Sequence, residues 1–153
     1  VKKLGALVAA LVVALTTFFL WMARLPPFDG YGEPVPVPFE ALDVDLVETR
    51  VEGTAHYPVV VTVERAGSFG RPSTTWWIFP LFDRGDTMGR QITAMVLSRV
   101  EPDDLVGFED LTLDCDVRPP RVGMSPEAER AFRDAGYTFA ADYVLLEQLP
   151  LDG

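Results

Sequence analysis

Thr74-Thr75-Trp76-Trp77-Ile78-Phe79-Pro80-Leu81-Phe82 is the stretch on which the fold turns. Along a β-strand, successive side chains point to opposite faces. Trp76, Ile78, Pro80 and Phe82 then share one face, and Trp77, Phe79 and Leu81 the other. Both faces are apolar, so both need cover. One can pack inside a barrel or a sandwich. The other needs a helix, the N-terminal neck or a second protein. Pro80 has no N–H to give a ladder, which places it at an edge or a bulge. Burying a Trp or Phe contributes roughly 1.5–3 kcal/mol, so an uncovered face would mark an interface. Trp76, Trp77, Ile78, Phe79 and Phe82 are therefore the candidate partner interface, joined by Phe28 and Tyr31 of the neck.

The flanking sequence also reads as strand. Asp83-Arg84-Gly85-Asp86-Thr87-Met88-Gly89 is a hairpin-type loop, and residues 91–100 form the return strand. Upstream, Val44, Leu46, Thr49 and Val51 give a broken alternation that ends at Gly53. Residues 57–64 are a β-branched run, and Gly67-Ser68-Phe69-Gly70 is a turn. Downstream, residues 102–107 are polar and long enough for one helical turn. Leu111, Leu113, Cys115 and Val117 then alternate with Asp110, Thr112, Asp114 and Asp116, the pattern of a half-buried strand. One amphipathic helix follows. Ser125 is its N-cap, Pro126 suits its first turn, and Ala128, Ala131, Phe132 and Ala135 make its apolar stripe before Gly136. Residues 137–149 return to strand.

Five or six strands with a polar turn at 102–109 and a closing strand resemble an OB-fold over residues 43–149. The resemblance implies a small β-barrel, with a sandwich as the alternative, and the late helix as an addition. It names no family and implies no particular activity.

The N-terminus has a different character. Leu4–Ala23 carries no charge, and its only polar side chains, Thr16 and Thr17, can bond back to their own helix. At 1.5 Å per residue such a helix is about 30 Å long, the thickness of a bilayer core. Lys2 and Lys3 precede it, Trp21 sits near its outer end and Arg24 follows. These residues are the expected contacts with the membrane interface, and the lysines favour a cytoplasmic N-terminus. Residues 1–24 are thus expected to be an uncleaved, single-pass signal-anchor. A cleaved signal peptide is the rival, but Phe18-Phe19-Leu20-Trp21-Met22 occupies the zone where small residues precede a cut. Residues 25–40 read as a Pro-rich neck in polyproline II, because Pro34, Pro36 and Pro38 alternate with Val35 and Val37. Residues 41–153 are the expected acidic domain, periplasmic or otherwise extracytoplasmic.

The formal net charge is −10. All 23 acids lie beyond Arg24, and no lysine does. Such a domain is expected to repel nucleic acid and anionic lipid headgroups, since binding to either depends on basic contacts, and to suit a basic or neutral partner surface better. The one cysteine, Cys115, excludes an intramolecular disulfide and a cysteine-rich metal site. It falls on the apolar face of its strand, and a nucleophilic role is not expected. His56 is the only histidine and lies at a turn or strand start. A zinc site needs three or four ligands, so His56 is read as structural. Asp83 and Asp86 could offer oxygens to calcium, yet the EF-hand spacing is absent. Ser68 lacks the spacing of a nucleophile elbow. The acids at 103–104, 109–110, 114 and 116 read as a solvated face. No catalytic, cofactor or metal residue is assigned.

The expected function is an accessory or structural subunit, tethered in the bilayer, whose β domain scaffolds or helps assemble a larger membrane complex. Respiratory, photosynthetic, transport and envelope assemblies would all fit. A small-ligand or metal-binding domain is the first alternative, and a membrane-tethered hydrolase using His56 is the second.

Overall fold

The computed structural model describes residues 12–17, 32–103 and 107–150. The chain divides into two compact units, Val1–Gly32 and Glu33–Gly153. In the first, residues 12–17 are helical, and the Thr16 and Thr17 hydroxyls donate to the carbonyls of Val12 and Val13, as the sequence predicts. Among the described residues, no helix is long and apolar enough to cross a membrane. Most of the expected 4–23 span, including Trp21, lies outside the described residues, as do Lys2, Lys3, Arg24, Phe28 and Tyr31.

The second unit is a β-barrel. Its strands are β1 (Val35–Pro36), β2 (Thr49–His56), β3 (Val61–Arg65), β4 (Thr74–Phe82), β5 (Gln91–Ser98), β6 (Phe108–Arg118) and β7 (Thr138–Gln148). They are ordered β1-β2-β6-β7-β5-β4-β3, and β2 also pairs with β4. That pairing closes a ring of five strands: β2, β6, β7, β5 and β4. All its seams are antiparallel except β5–β7. The ring is consistent with a small OB-like barrel, with β1 and β3 as outer additions.

Closure depends on a close approach. Thr54 pairs with Phe82 and Ala55 with Leu81. A Cβ on the neighbouring Gly53 would lie 2.7 Å from Leu81 Cγ and 2.7 Å from the Phe82 carbonyl oxygen. Gly53 was expected to end its strand. Instead β2 runs through it to His56, because the missing side chain lets β4 in. Pro80 sits between Ile78, the last β4 residue paired with β3, and Leu81, the first paired with β2. Its missing donor thus falls where the strand changes partners.

The neck is the second correction. It was expected to extend as polyproline to residue 40. Val35–Pro36 is instead a parallel edge strand on β2, while Pro38 keeps polyproline dihedrals, φ −59° and ψ 146°, before a 3-10 turn at Phe39–Ala41. The N–H groups of Val35 and Val37 donate to the carbonyls of Glu48 and Arg50. Backbone donors alternate sides along a strand, so the prolines between them take the outward positions. The outer edge of β1 therefore offers few donors to a stray strand. The expected strand before Thr49 is a loop, with Asp45 at φ 72° and Glu48 at φ 48°. It is tied to β6 by Asp45 N to Val117 O, Val117 N to Leu46 O, and Glu48 N to Asp116 Oδ1.

The two faces of β4 divide as the period of two predicts. Phe79 and Leu81 enter the barrel interior with Val51, Ala55, Tyr57, Val96, Cys115, Val117 and Leu146. Trp76, Ile78 and Phe82 face an outer layer with Met95, Leu97, Phe132, Tyr137 and Leu145. That layer is roofed by the late helix, Pro126–Asp134. The Ser125 hydroxyl caps it by accepting from Ala128 N, and Glu127 and Glu129 occupy the first turn. Ala128 and Phe132 are buried, while the expected stripe member Ala135 is exposed at the C-cap.

Candidate functional site

The aromatic strand does not offer the surface expected of it. Trp76, Ile78, Phe79 and Phe82 are 0–5% exposed. The helix and β3 cover the outer face, and the barrel encloses the inner one. These four are corrected from partner interface to core. Trp77 is half-buried and is the one described member of the set with solvent access.

His56 is fully buried at the last position of β2, not at a turn or strand start. Its ring stacks on Phe82 at 4.1 Å between centroids and meets Phe108 edge-on at 4.7 Å. Nε2 lies 2.7 Å from the Asp86 carbonyl oxygen, which can only accept, so Nε2 carries the proton. Nδ1 then accepts from the Tyr137 hydroxyl at 3.2 Å. Burial holds the imidazole below its ordinary pKa, and Arg90 adds to this, outweighing the Asp86 carbonyl. The neutral ring pins the β4–β5 loop to β2 and to the residue before β7. Stability follows from this. The unfolded chain takes up the His56 proton near pH 6.5, while the native ring resists it to lower pH. Acidification from that value toward the native pKa therefore favours unfolding, by at most about 1.4 kcal/mol per pH unit. Above it the contribution is constant. His56→Gln should flatten this part of the stability profile between about pH 7.5 and pH 5. Equal slopes in thermal melts of both proteins would refute the assignment.

The other chemistry-bearing groups are likewise engaged. Cys115 is fully buried, and burial, with Asp116 and Asp114, pushes its thiol up to about 12. Asp83 Oδ1 accepts from Arg84 N, and Asp86 Oδ1 from the N–H groups of Met88 and Gly89. These carboxylates tie turns, and among the described residues no group of three metal-type ligands gathers. Thr54 donates to Asp110 Oδ1 and accepts from Gly85 N at 2.7 Å. Arg84 reaches Glu52 at 3.0 Å, and Arg50 holds Asp114 in a two-point pair at 2.7 and 3.0 Å. Ser68 is exposed in its loop.

A cleft of about 160 Å³ opens beside Tyr57. Phe79, Leu111 and Leu113 contribute its apolar lining, and Glu101, Asp103 and Glu109 its acidic lining. The Tyr57 hydroxyl donates to Glu109 Oε2 at 2.9 Å; burial, aided by that carboxylate, pushes its pKa up. Sequence reasoning missed this cleft, because residues of β4, β5, β6 and β7 converge there only after the ring closes.

The chain matches no family model, and no curated protein or solved structure matches it. The class defined is a closed, mixed five-stranded β-barrel of OB-like form, with a helix laid over one wall.

Proposed function

We propose that the protein is a membrane-anchored accessory subunit whose acidic barrel scaffolds or stabilises a larger membrane complex. The observation that carries this is the structural engagement of His56, Cys115, Asp83, Asp86 and Asp110, each committed to core packing, a turn or a strand seam. In an OB-fold the face of the second and third barrel strands is a customary ligand platform. Here those strands are β4 and β5, and their outer wall is roofed by the helix. The uncharged 4–23 run supplies the anchor, and half-buried Trp77 and the acidic wall of β6 supply contact surface.

The cleft beside Tyr57 favours a second reading, a small-ligand site. One experiment separates the two. The full chain, tagged at its C-terminus, is purified from native membranes and weighed intact with whatever accompanies it. Stoichiometric membrane proteins are expected. A lone protein carrying a bound small molecule would favour the second reading. Recovery from the aqueous fraction, with a mature N-terminus between residues 23 and 40, would overturn the anchor.

A further inference from the structure

The arginines of the barrel unit are unevenly placed. Arg50, Arg84, Arg118 and Arg133 form ion pairs. Arg65, Arg71, Arg90, Arg99, Arg121 and Arg130 are exposed, and no described carboxylate pairs with any of them. Of these, Arg65, Arg71, Arg99 and Arg121 belong to the end of the barrel where β4 begins. The Arg65 and Arg99 guanidinium carbons lie 5.6 and 4.5 Å from the Trp76 ring centroid. Arg65 Nη2 donates to the Val122 carbonyl at 3.2 Å, which brings in Arg121. Arg71 belongs to the hairpin closed by Arg65 opposite Thr74.

The tip of that hairpin is Ser68-Phe69-Gly70-Arg71, closed by Arg71 N to Ser68 O at 3.2 Å. Phe69 has φ 54° and Gly70 φ 75°. Positive φ at both central positions is the type I′ arrangement, which favours Asn-Gly and disfavours a bulky aromatic. Phe69 nevertheless occupies the first position, and its side chain is fully exposed, at 103%. Neither local preference nor packing accounts for it. Val100 and Val122, half exposed, flank the cluster.

We propose that this end of the barrel docks on an anionic lipid surface, with Phe69 entering the interface and the four arginines meeting headgroup phosphates. The fully exposed Phe69 at the hairpin tip favours a bilayer over nucleic acid or an acidic peptide. Trp76 is only 4% exposed beneath its guanidiniums, so it has no free face for a base to stack on. An exposed aromatic beside arginines suits the headgroup boundary. The acid-rich Arg84–Glu52–Asp110 corner lies beyond the other end of β4, nine residues or about 26 Å away. That corner lies beyond two screening lengths at physiological salt; nearer the cluster, exposed Glu64 and Glu101, beside Arg65 and Val100, offset part of its charge and leave the four arginines in excess. Each arginine should strengthen attraction to an acidic leaflet about fivefold.

This docking rests on the membrane attachment proposed above, and the test keeps the two apart. An environment-sensitive fluorophore is placed at Ser68→Cys in the full chain; buried Cys115 stays unlabelled while the barrel is folded. The protein is mixed with phosphatidylcholine vesicles, with or without phosphatidylserine, and floated on a gradient. Flotation with both vesicle types and a blue-shifted emission only with phosphatidylserine supports docking. Adding Arg71→Ala and Arg121→Ala, with thermal stability retained, should weaken the docked state about 25-fold. Flotation without a shift overturns docking and leaves the anchor standing. Flotation and a shift only with phosphatidylserine support docking and remove the anchor. No flotation with either overturns both. Equal shifts on both vesicles, or a shift with polyglutamate and none with vesicles, overturns the anionic-lipid assignment.

Discussion

Phe132→Ala should destabilise the barrel unit by about 3–5 kcal/mol, the cost of deleting a large aromatic from a packed core. Phe132 is fully buried, and it is the helix residue that reaches deepest into the outer layer. It contacts Tyr137 and Phe139 edge-on, at 6.5 and 6.4 Å between centroids. Tyr137 in turn holds His56, so the cavity would loosen the tie between β2 and the β4–β5 loop as well. Urea unfolding followed by tryptophan fluorescence measures the loss, since Trp76 lies in the same layer. Phe132→Leu should cost less than half as much, because most of the volume remains. A loss below about 1 kcal/mol for the alanine variant would mean that the helix is not the roof that keeps the outer face of β4 from water.

Gly53→Val should open the barrel along one seam. The new Cβ would meet the Phe82 carbonyl oxygen at 2.7 Å, and backbone in a paired strand cannot move aside. Overpacking of this kind costs typically about 1–3 kcal/mol, and a branched side chain against backbone belongs at or above the top of that range. The effect should be local in the ladder. Amides of residues 54–56 and 81–82 should lose hydrogen-exchange protection before those of the β5–β7 seam. Gly32→Ala is the matched control, since its added Cβ meets nothing within 4 Å. Should Gly53→Val melt with the wild-type midpoint and keep protection at 81–82, the β2–β4 pairing does not close the ring.

The candidate site was legible only in part. Cys115 faces inward as its alternation with Asp114 and Asp116 requires, because a strand's period of two is local. The late helix is also where its caps put it, for Ser125, Pro126 and Gly136 act within one turn of each end. The sequence shows that His56 lacks a metal-ligand set but does not show where it lies in the fold. Its two partners are 81 and 30 residues away along the chain. Nothing in Thr54-Ala55-His56-Tyr57-Pro58 signals them. The arginine cluster was hidden in the same way. Arg65, Arg71, Arg99 and Arg121 are scattered in a chain with 23 acids, and the total charge masks the local excess.

By itself the sequence determined the mainly β character of the domain, the split of β4 into two apolar faces, the inward thiol and the helix with both ends. All of these follow from periodicities and capping chemistry that act over a few residues. Only the tertiary structure decided which cover each apolar face received. The inner face went to the ring and the outer face to the helix, leaving Trp77 as the one half-exposed member. It also turned a run of Pro-Val repeats into an edge strand, because residues 48–50 offer carbonyls at the matching spacing. Finally, it let a glycine continue a strand that a glycine was expected to end. The reason is common to all three. Pairing and cover are settled by what arrives from distant parts of the chain, and local pattern states only what each segment can accept.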